Sequence, residues 1–175
     1  MVDTGFPWIL LAAALYGIVH SILASQRVKT QAARWFGQAA YQRYYRLFFV
    51  IAAVITALPL AALVGLLPDR HIYSIPAPWV YFTLVVQAAA LFMLLFSVMQ
   101  TGVMRFLGLN QLSRSSSQQN NPAPEKLILN GFYGWMRHPI YTASFVLLWL
   151  VPVMTWNVLA FNLGLSVYML VGTKF

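Results

Sequence analysis

The chain has 175 residues, of which 61% are hydrophobic and only 8% charged, where a soluble domain carries roughly 25% charged residues. A mean hydropathy of +0.71 and apolar runs long enough for a ~30 Å hydrocarbon core exclude a water-soluble domain. The net charge of +8 gathers in two loops between apolar runs, which excludes a nucleic-acid surface, and the absence of cysteine excludes disulfides, thiolate metal sites and a cysteine nucleophile.

The first apolar run covers about 6–25. Asp3 is its only charge before Arg27, so it lacks the basic start of a secretion signal and reads as a retained span. His20 lies inside it, and an ionisable group at membrane depth is a functional candidate by default. The plainer interpretation of His20 is a helix–helix hydrogen bond involving Ser21 or a neighbouring backbone. A loop follows with Arg27, Lys29, Arg34, Arg43 and Arg46 and no acid.

The second span is predicted over 47–67 and the third over 79–104. The loop between them holds Asp69, Arg70 and His71, a histidine expected to be solvated. Gln87, Ser97 and Gln100 in the third span read as interhelical contacts, with a substrate path as the alternative. Met93, Met99 and Met104 read as apolar filling.

Residues 110–124 form a polar, low-complexity loop expected to be flexible, with Ser113-Arg114-Ser115-Ser116-Ser117-Gln118-Gln119-Asn120-Asn121-Pro122 at its centre. A lid or gate and a plain solvated linker are both open for it. Arg105, Arg114, Lys126 and Arg137 on this connection face a single acid, Glu125. The last spans are predicted over 140–156 and 158–173, with Pro152, Thr155 and Asn157 breaking the run between them into a tight helical hairpin; a re-entrant segment is the alternative. Strand alternation is not visible in the spans, and a backbone in lipid must satisfy its own hydrogen bonds, so they are helices. The expected fold is all-α: one membrane domain, 1–175, of about five transmembrane helices. The basic loops place the N-terminus outside, and an inner (cytoplasmic) membrane with the basic loops in the cytoplasm is the expected location.

The densest chemistry lies in Asn130-Gly131-Phe132-Tyr133-Gly134-Trp135-Met136-Arg137-His138-Pro139-Ile140-Tyr141. Two glycines allow close backbone approach, and Pro139 suits the first turn of a helix. That helix start and Arg137 together suit a carboxylate or phosphate. His138 can accept a proton, hydrogen-bond or ligate a metal. Tyr133, Trp135 and Tyr141 offer flat faces. Taken singly, Arg137, Tyr133 and Trp135 also suit interfacial anchoring.

Gly-Phe-Tyr-Gly-Trp-Met-Arg-His-Pro-Ile-Tyr resembles the signature of the isoprenylcysteine carboxyl methyltransferase and phospholipid methyltransferase superfamily. The chain is most similar to its NnrU branch, which includes methanethiol S-methyltransferase-like proteins. Leu148-Trp149-Leu150-Val151-Pro152-Val153-Met154-Thr155-Trp156-Asn157, His20-Ser21, Leu23-Ala24-Ser25, Tyr45-Arg46-Leu47 and Phe106-Leu107-Gly108-Leu109 extend the resemblance over most of the chain. The resemblance implies S-adenosylmethionine as cofactor, with Arg137 and His138 at its amino-acid end and Pro139, Tyr141 and Tyr133 completing the binding residues. It implies methyl transfer to a small thiol or lipophilic acceptor by in-line displacement without a metal. Ala143 stands where the family often has Gly. The family also closes its site with paired glutamates after the last span, and Gly172-Thr173-Lys174-Phe175 stands where those acids would begin, so the expectation is either an incomplete C-terminus or a member that lacks part of the site.

ζ-Carotene isomerases also resemble this branch, and that likeness implies His20 and His138 as axial ligands of haem b. A non-catalytic membrane subunit is the third possibility. The expected partners are the lipid bilayer, a small-molecule or lipophilic substrate and a membrane-complex partner, with no nucleic acid.

Overall fold

The computed structural model describes residues 4–112 and 129–173. The polar loop from Ser113, with Arg114, Glu125 and Lys126, lies outside the described residues, as do Asp3, Lys174 and Phe175. The described chain is mostly helical. Three helices are long and apolar enough to cross a membrane: α1 (Phe6–Ala24), α3 (Gln38–Leu66) and α4 (Trp79–Thr101). Their outer faces present large apolar side chains, among them Trp8, Leu15, Ile55, Leu58, Val85 and Phe92. A continuous apolar exterior of this kind suits a hydrocarbon solvent and would be an aggregation hazard in water.

The basic loop after α1 contains a helix that charge counting hides, α2 (Gln26–Phe36). Ser25 caps it, its hydroxyl accepting from the Val28 amide at 3.4 Å. Gly37, at φ 83°, turns the chain into α3, a conformation that glycine adopts without steric penalty. The second helix therefore starts at Gln38, nine residues before the span expected at 47–67, because nothing between Gln38 and the apolar run breaks it. Gly102, again at φ 83°, ends α4 at Thr101 instead of at 104. Two single turns follow, α5 (Val103–Phe106) and α6 (Leu109–Leu112), the second reaching into ground expected to be loop from 110 onward.

After the undescribed stretch come a short turn, α7 (Phe132–Trp135), and two apolar helices, α8 (Pro139–Trp149) and α9 (Trp156–Gly172). The span expected over 140–156 is thus a helix of only 11 residues. Pro152 explains its early end, since proline donates no N–H and biases the preceding residue towards extended backbone. Thr155 then opens α9, its hydroxyl accepting from the Val158 amide at 3.3 Å.

Strands, not foreseen in the sequence, do occur outside the long helices. β1 (His71–Ser74) pairs antiparallel with β2 (Val153–Thr155), with an irregular register between His71 and Tyr73. His71 is exposed there, its Nε2 sharing a 2.7 Å hydrogen bond with Ser74 Oγ.

α1 packs along α9 and against α3, and α4 packs along α8. The core joins Ile9 and Ala13 of α1, Leu60 of α3 and Ala160 of α9. A Cβ on Gly164 would collide with the Ala13 side chain. Ala13 thus faces Gly164, while Gly17 one turn on faces the Tyr168 ring; small residues at such positions let helices approach closely in lipid. Polar ties fix the last hairpin: Trp149 Nε1 donates to Ser166 Oγ at 2.9 Å, and the Asn162 side-chain amide donates to the Leu148 carbonyl at 2.5 Å.

Candidate functional site

The segment leading into α8 is positioned by α4. Gln100 Nε2 donates to the Asn130 carbonyl at 3.1 Å, and the Phe132 ring packs edge-on against Phe96 at 5.6 Å. Residues 130–132 therefore lie alongside the last turn and a half of α4, not beyond its end. Gly131 makes this possible: it sits at φ 58°, and a Cβ there would collide with the Gln100 amide. Further along, Gln87 Nε2 donates to the Leu147 carbonyl at 3.4 Å, tying α4 to α8. Gln87 and Gln100 are interhelical or inter-segment contacts as expected; Ser97 instead donates to the Met93 carbonyl of its own helix at 2.7 Å.

Met136 is extended, and His138 forms the N-cap of α8 with Pro139 at its first position. Pro139 is fully buried and anchors the turn. No side chain among the described residues caps the helix, Pro139 has no amide and Thr142 donates to the His138 carbonyl, so the Ile140 and Tyr141 amides are the ones left for another acceptor. The His138 imidazole lies over the phenol of Tyr141, centroids 5.5 Å apart and planes 13° from parallel. Arg137 is exposed and has no acidic partner among the described residues. Tyr133 is half-buried on α7, and burial pushes its phenol above the ordinary range, so it remains a hydrogen-bond donor at neutral pH. Trp135 is exposed.

Thus Arg137, His138, Pro139 and Tyr141 share one helix start. A Cβ on Gly172 would lie 3.7 Å from the Tyr141 hydroxyl, which places that hydroxyl beside the end of α9. His20 belongs to a separate cluster on α1, α3 and α9: its ring meets Phe49 at 4.6 Å, Tyr168 at 5.5 Å and Tyr16 at 5.6 Å. Its Nδ1 is buried without a hydrogen-bond partner, so neither Ser21 nor a backbone carbonyl satisfies that atom. His20 and His138 do not stack on each other. Tyr168, one helical turn before Gly172, links the neighbourhoods. Tyr16, Phe49 and Tyr168 carry little signal in the sequence beyond the position of Tyr16 four residues before His20, the spacing of one helix face.

The donor set at α8 suits an acidic, partly aromatic ligand: a guanidinium, open helix amides and a stacked aromatic pair in one place. A methionine-derived sulfonium cofactor has matching chemistry, with a carboxylate for Arg137 and the amides, and a cation and a purine for the ring faces. No group of three or more histidine or acidic side chains that could hold a metal ion occurs among the described residues.

The fold and site define a helical protein of membrane-spanning type with a cationic helix start beside aromatic faces. The chain is 32% identical over 165 residues to Methanethiol S-methyltransferase 1 of Bradyrhizobium diazoefficiens, a match covering 93% of this chain and 55% of that protein. The similarity relates the chain to a methyltransferase, and the chain spans about half the length of the curated relative it matches. No family model matches the chain, and no solved structure matches it significantly.

Proposed function

We propose that the chain is the membrane-embedded, cofactor-binding part of an S-adenosylmethionine-dependent methyltransferase of the NnrU type acting on a small thiol. The observation that carries this is Arg137, without an acidic partner among the described residues, beside the stacked His138–Tyr141 pair at the start of α8. The similarity to a protein named for methyl transfer to methanethiol supports the acceptor class. The short helices α8 and α9 would complete a five-helix bundle with the N-terminus outside and the α8 start facing the cytoplasm, an orientation supported by the basic residues of α2 and of the α1–α3 connection.

When bound, the cofactor supplies an electrophilic methyl group on sulfur. Arg137 and the first amides of α8 would hold its carboxylate, and His138 and Tyr141 would present flat faces to its cationic or purine parts. Tyr133 would donate a hydrogen bond from α7. The surrounding apolar helices would exclude water and align the acceptor, the main contributions that a displacement of this type requires.

Calorimetric titration of the purified protein with S-adenosylmethionine is expected to show binding, and Arg137→Ala is expected to weaken it at least about tenfold, since a hydrogen-bonded charge is removed. Binding that Arg137→Ala leaves unchanged would overturn the assignment. Absence of binding would favour a non-catalytic subunit. Haem ligation finds less support: Phe49, Tyr168 and Tyr16 already pack around the His20 ring, where a porphyrin would need open space. A Soret band lost on His20→Ala would reverse that preference.

A further inference from the structure

Helix α2 has two unlike sides. Val28, Ala32, Trp35 and Phe36 recur at helical spacing and turn towards α3, where they line an apolar groove of about 490 Å3 that also takes in Ala40 and Tyr44. Arg27 and Arg34 lie on a neighbouring, polar side together with Thr30. The groove is uncovered: Trp35 and Phe36 are 73% and 72% exposed. Exposed aromatic side chains on a basic amphipathic helix are the mark of a segment lying in a membrane interface.

A second cavity adjoins the groove and is more polar. It measures about 360 Å3 and is lined by Lys29, Arg46, Gln42 and Gln111. Tyr41 and Tyr45 line both spaces and form the wall between them. Tyr45 is fixed in that wall by its hydroxyl, which donates to the Leu23 carbonyl at 2.6 Å. Arg46 is held by donation from Nε to the Phe106 carbonyl at 3.2 Å, and its terminal nitrogens have no acidic partner among the described residues. Lys29 has no acidic partner among the described residues. Gln111 Oε1 is buried with no donor, an acceptor that a ligand hydroxyl would satisfy.

An apolar groove sharing a wall with a pocket of two cations and an orphaned acceptor has the layout of an amphiphile: a chain, an anion and a hydroxyl. Both volumes lie within the range of small-ligand sites. We propose that the α2–α3 hairpin binds one anionic glycerophospholipid, its acyl chain in the groove, its phosphate between Lys29 and Arg46, and a headgroup hydroxyl on Gln111. The absence of any acid between Arg27 and Arg46 selects an anionic over a zwitterionic headgroup by charge complementarity. The site is separate from the start of α8 and does not depend on methyl transfer.

The test is native mass spectrometry of the full chain in detergent, titrated with dioleoylphosphatidylglycerol or dioleoylphosphatidylcholine. One phosphatidylglycerol is expected to remain bound, preferred over phosphatidylcholine at least about tenfold, and Lys29→Gln is expected to lower that preference about fivefold. Ala40→Trp, which fills the groove, is expected to reduce retention of phosphatidylglycerol itself. Should Ala40→Trp fail to fold by circular dichroism, Ala32→Phe tests the same wall and Lys29→Arg should keep the preference. Equal retention of the two lipids, indifference to Lys29→Gln, or displacement by millimolar inorganic phosphate would overturn the proposal.

Discussion

The backbone amide of Asn157 donates to the Asp69 carboxylate at 3.0 Å, joining the start of α9 to the loop after α3. The fully buried Asn157 side chain completes the joint, its Nδ2 directed at the carbonyls of Val64, Leu67 and Pro68 at 3.1–3.3 Å. It serves the Val64 carbonyl in the last turn of α3 and the Leu67 carbonyl at its C-cap, work that a lipid environment would leave undone, while Pro68 also accepts from the Gly5 amide at 2.8 Å. Asn157→Ala is expected to destabilise the protein by about 2–3 kcal/mol, read as a lower midpoint in thermal unfolding in detergent. Asp69→Asn keeps a side-chain acceptor and is expected to cost less than half as much.

A second expectation concerns the close approach of α1 and α9. Gly164→Ala puts a methyl group into the space of the Ala13 side chain, and overpacking of this kind costs about 1–3 kcal/mol. Ala13→Gly should relieve the collision, so the double variant should be more stable than Gly164→Ala alone. Independent, additive losses in the same unfolding assay would show that the two positions do not meet.

The α8 start can be probed without removing a charge. Tyr141→Phe keeps the ring over His138 and is expected to leave S-adenosylmethionine affinity within about threefold, whereas Tyr141→Leu removes the aromatic face and should weaken it about tenfold. Equal effects of the two substitutions in calorimetry would point to the hydroxyl beside Gly172 as the active part.

Gly131→Ala should damage the site indirectly. The residue sits at φ 58° and its new methyl would meet the Gln100 amide. Cofactor affinity is expected to fall, and Gln100→Ala should restore only part of it, because the backbone conformation still disfavours any side chain. Full restoration would mean that crowding alone matters at this turn.

Much of this architecture was legible in the residues themselves. α1 ends within a residue of expectation because its apolar run ends with it, and Arg137-His138-Pro139 announced a helix start that the structure places at Pro139. What escaped notice escaped for physical reasons. The spacing of Val28, Ala32 and Trp35 was visible, but charge dominates the composition of α2. β1 and β2 are too short to show alternation and depend on a partner some eighty residues away in sequence. Tyr168 reads as one more apolar residue of α9 until His20 is brought beside it. Asn157 reads as a helix breaker, and only the folded chain shows its amide serving carbonyls at and just after the end of α3.

Helix α8 rises only about 16 Å over its 11 residues, roughly half the ~30 Å thickness of a hydrocarbon core. Gln87 ties it to α4 near Leu147, and Phe96 meets Phe132 in the segment before it. A helix this short cannot reach both headgroup layers, and Arg137 stands just before its start with no acid beside it among the described residues. Were that end to stop short of the interface, its permanent positive charge would draw water and anions inward to it. On the function proposed above, such a wet notch in an oily wall would let an acidic solute enter from the aqueous side while a hydrophobic thiol arrives through the lipid.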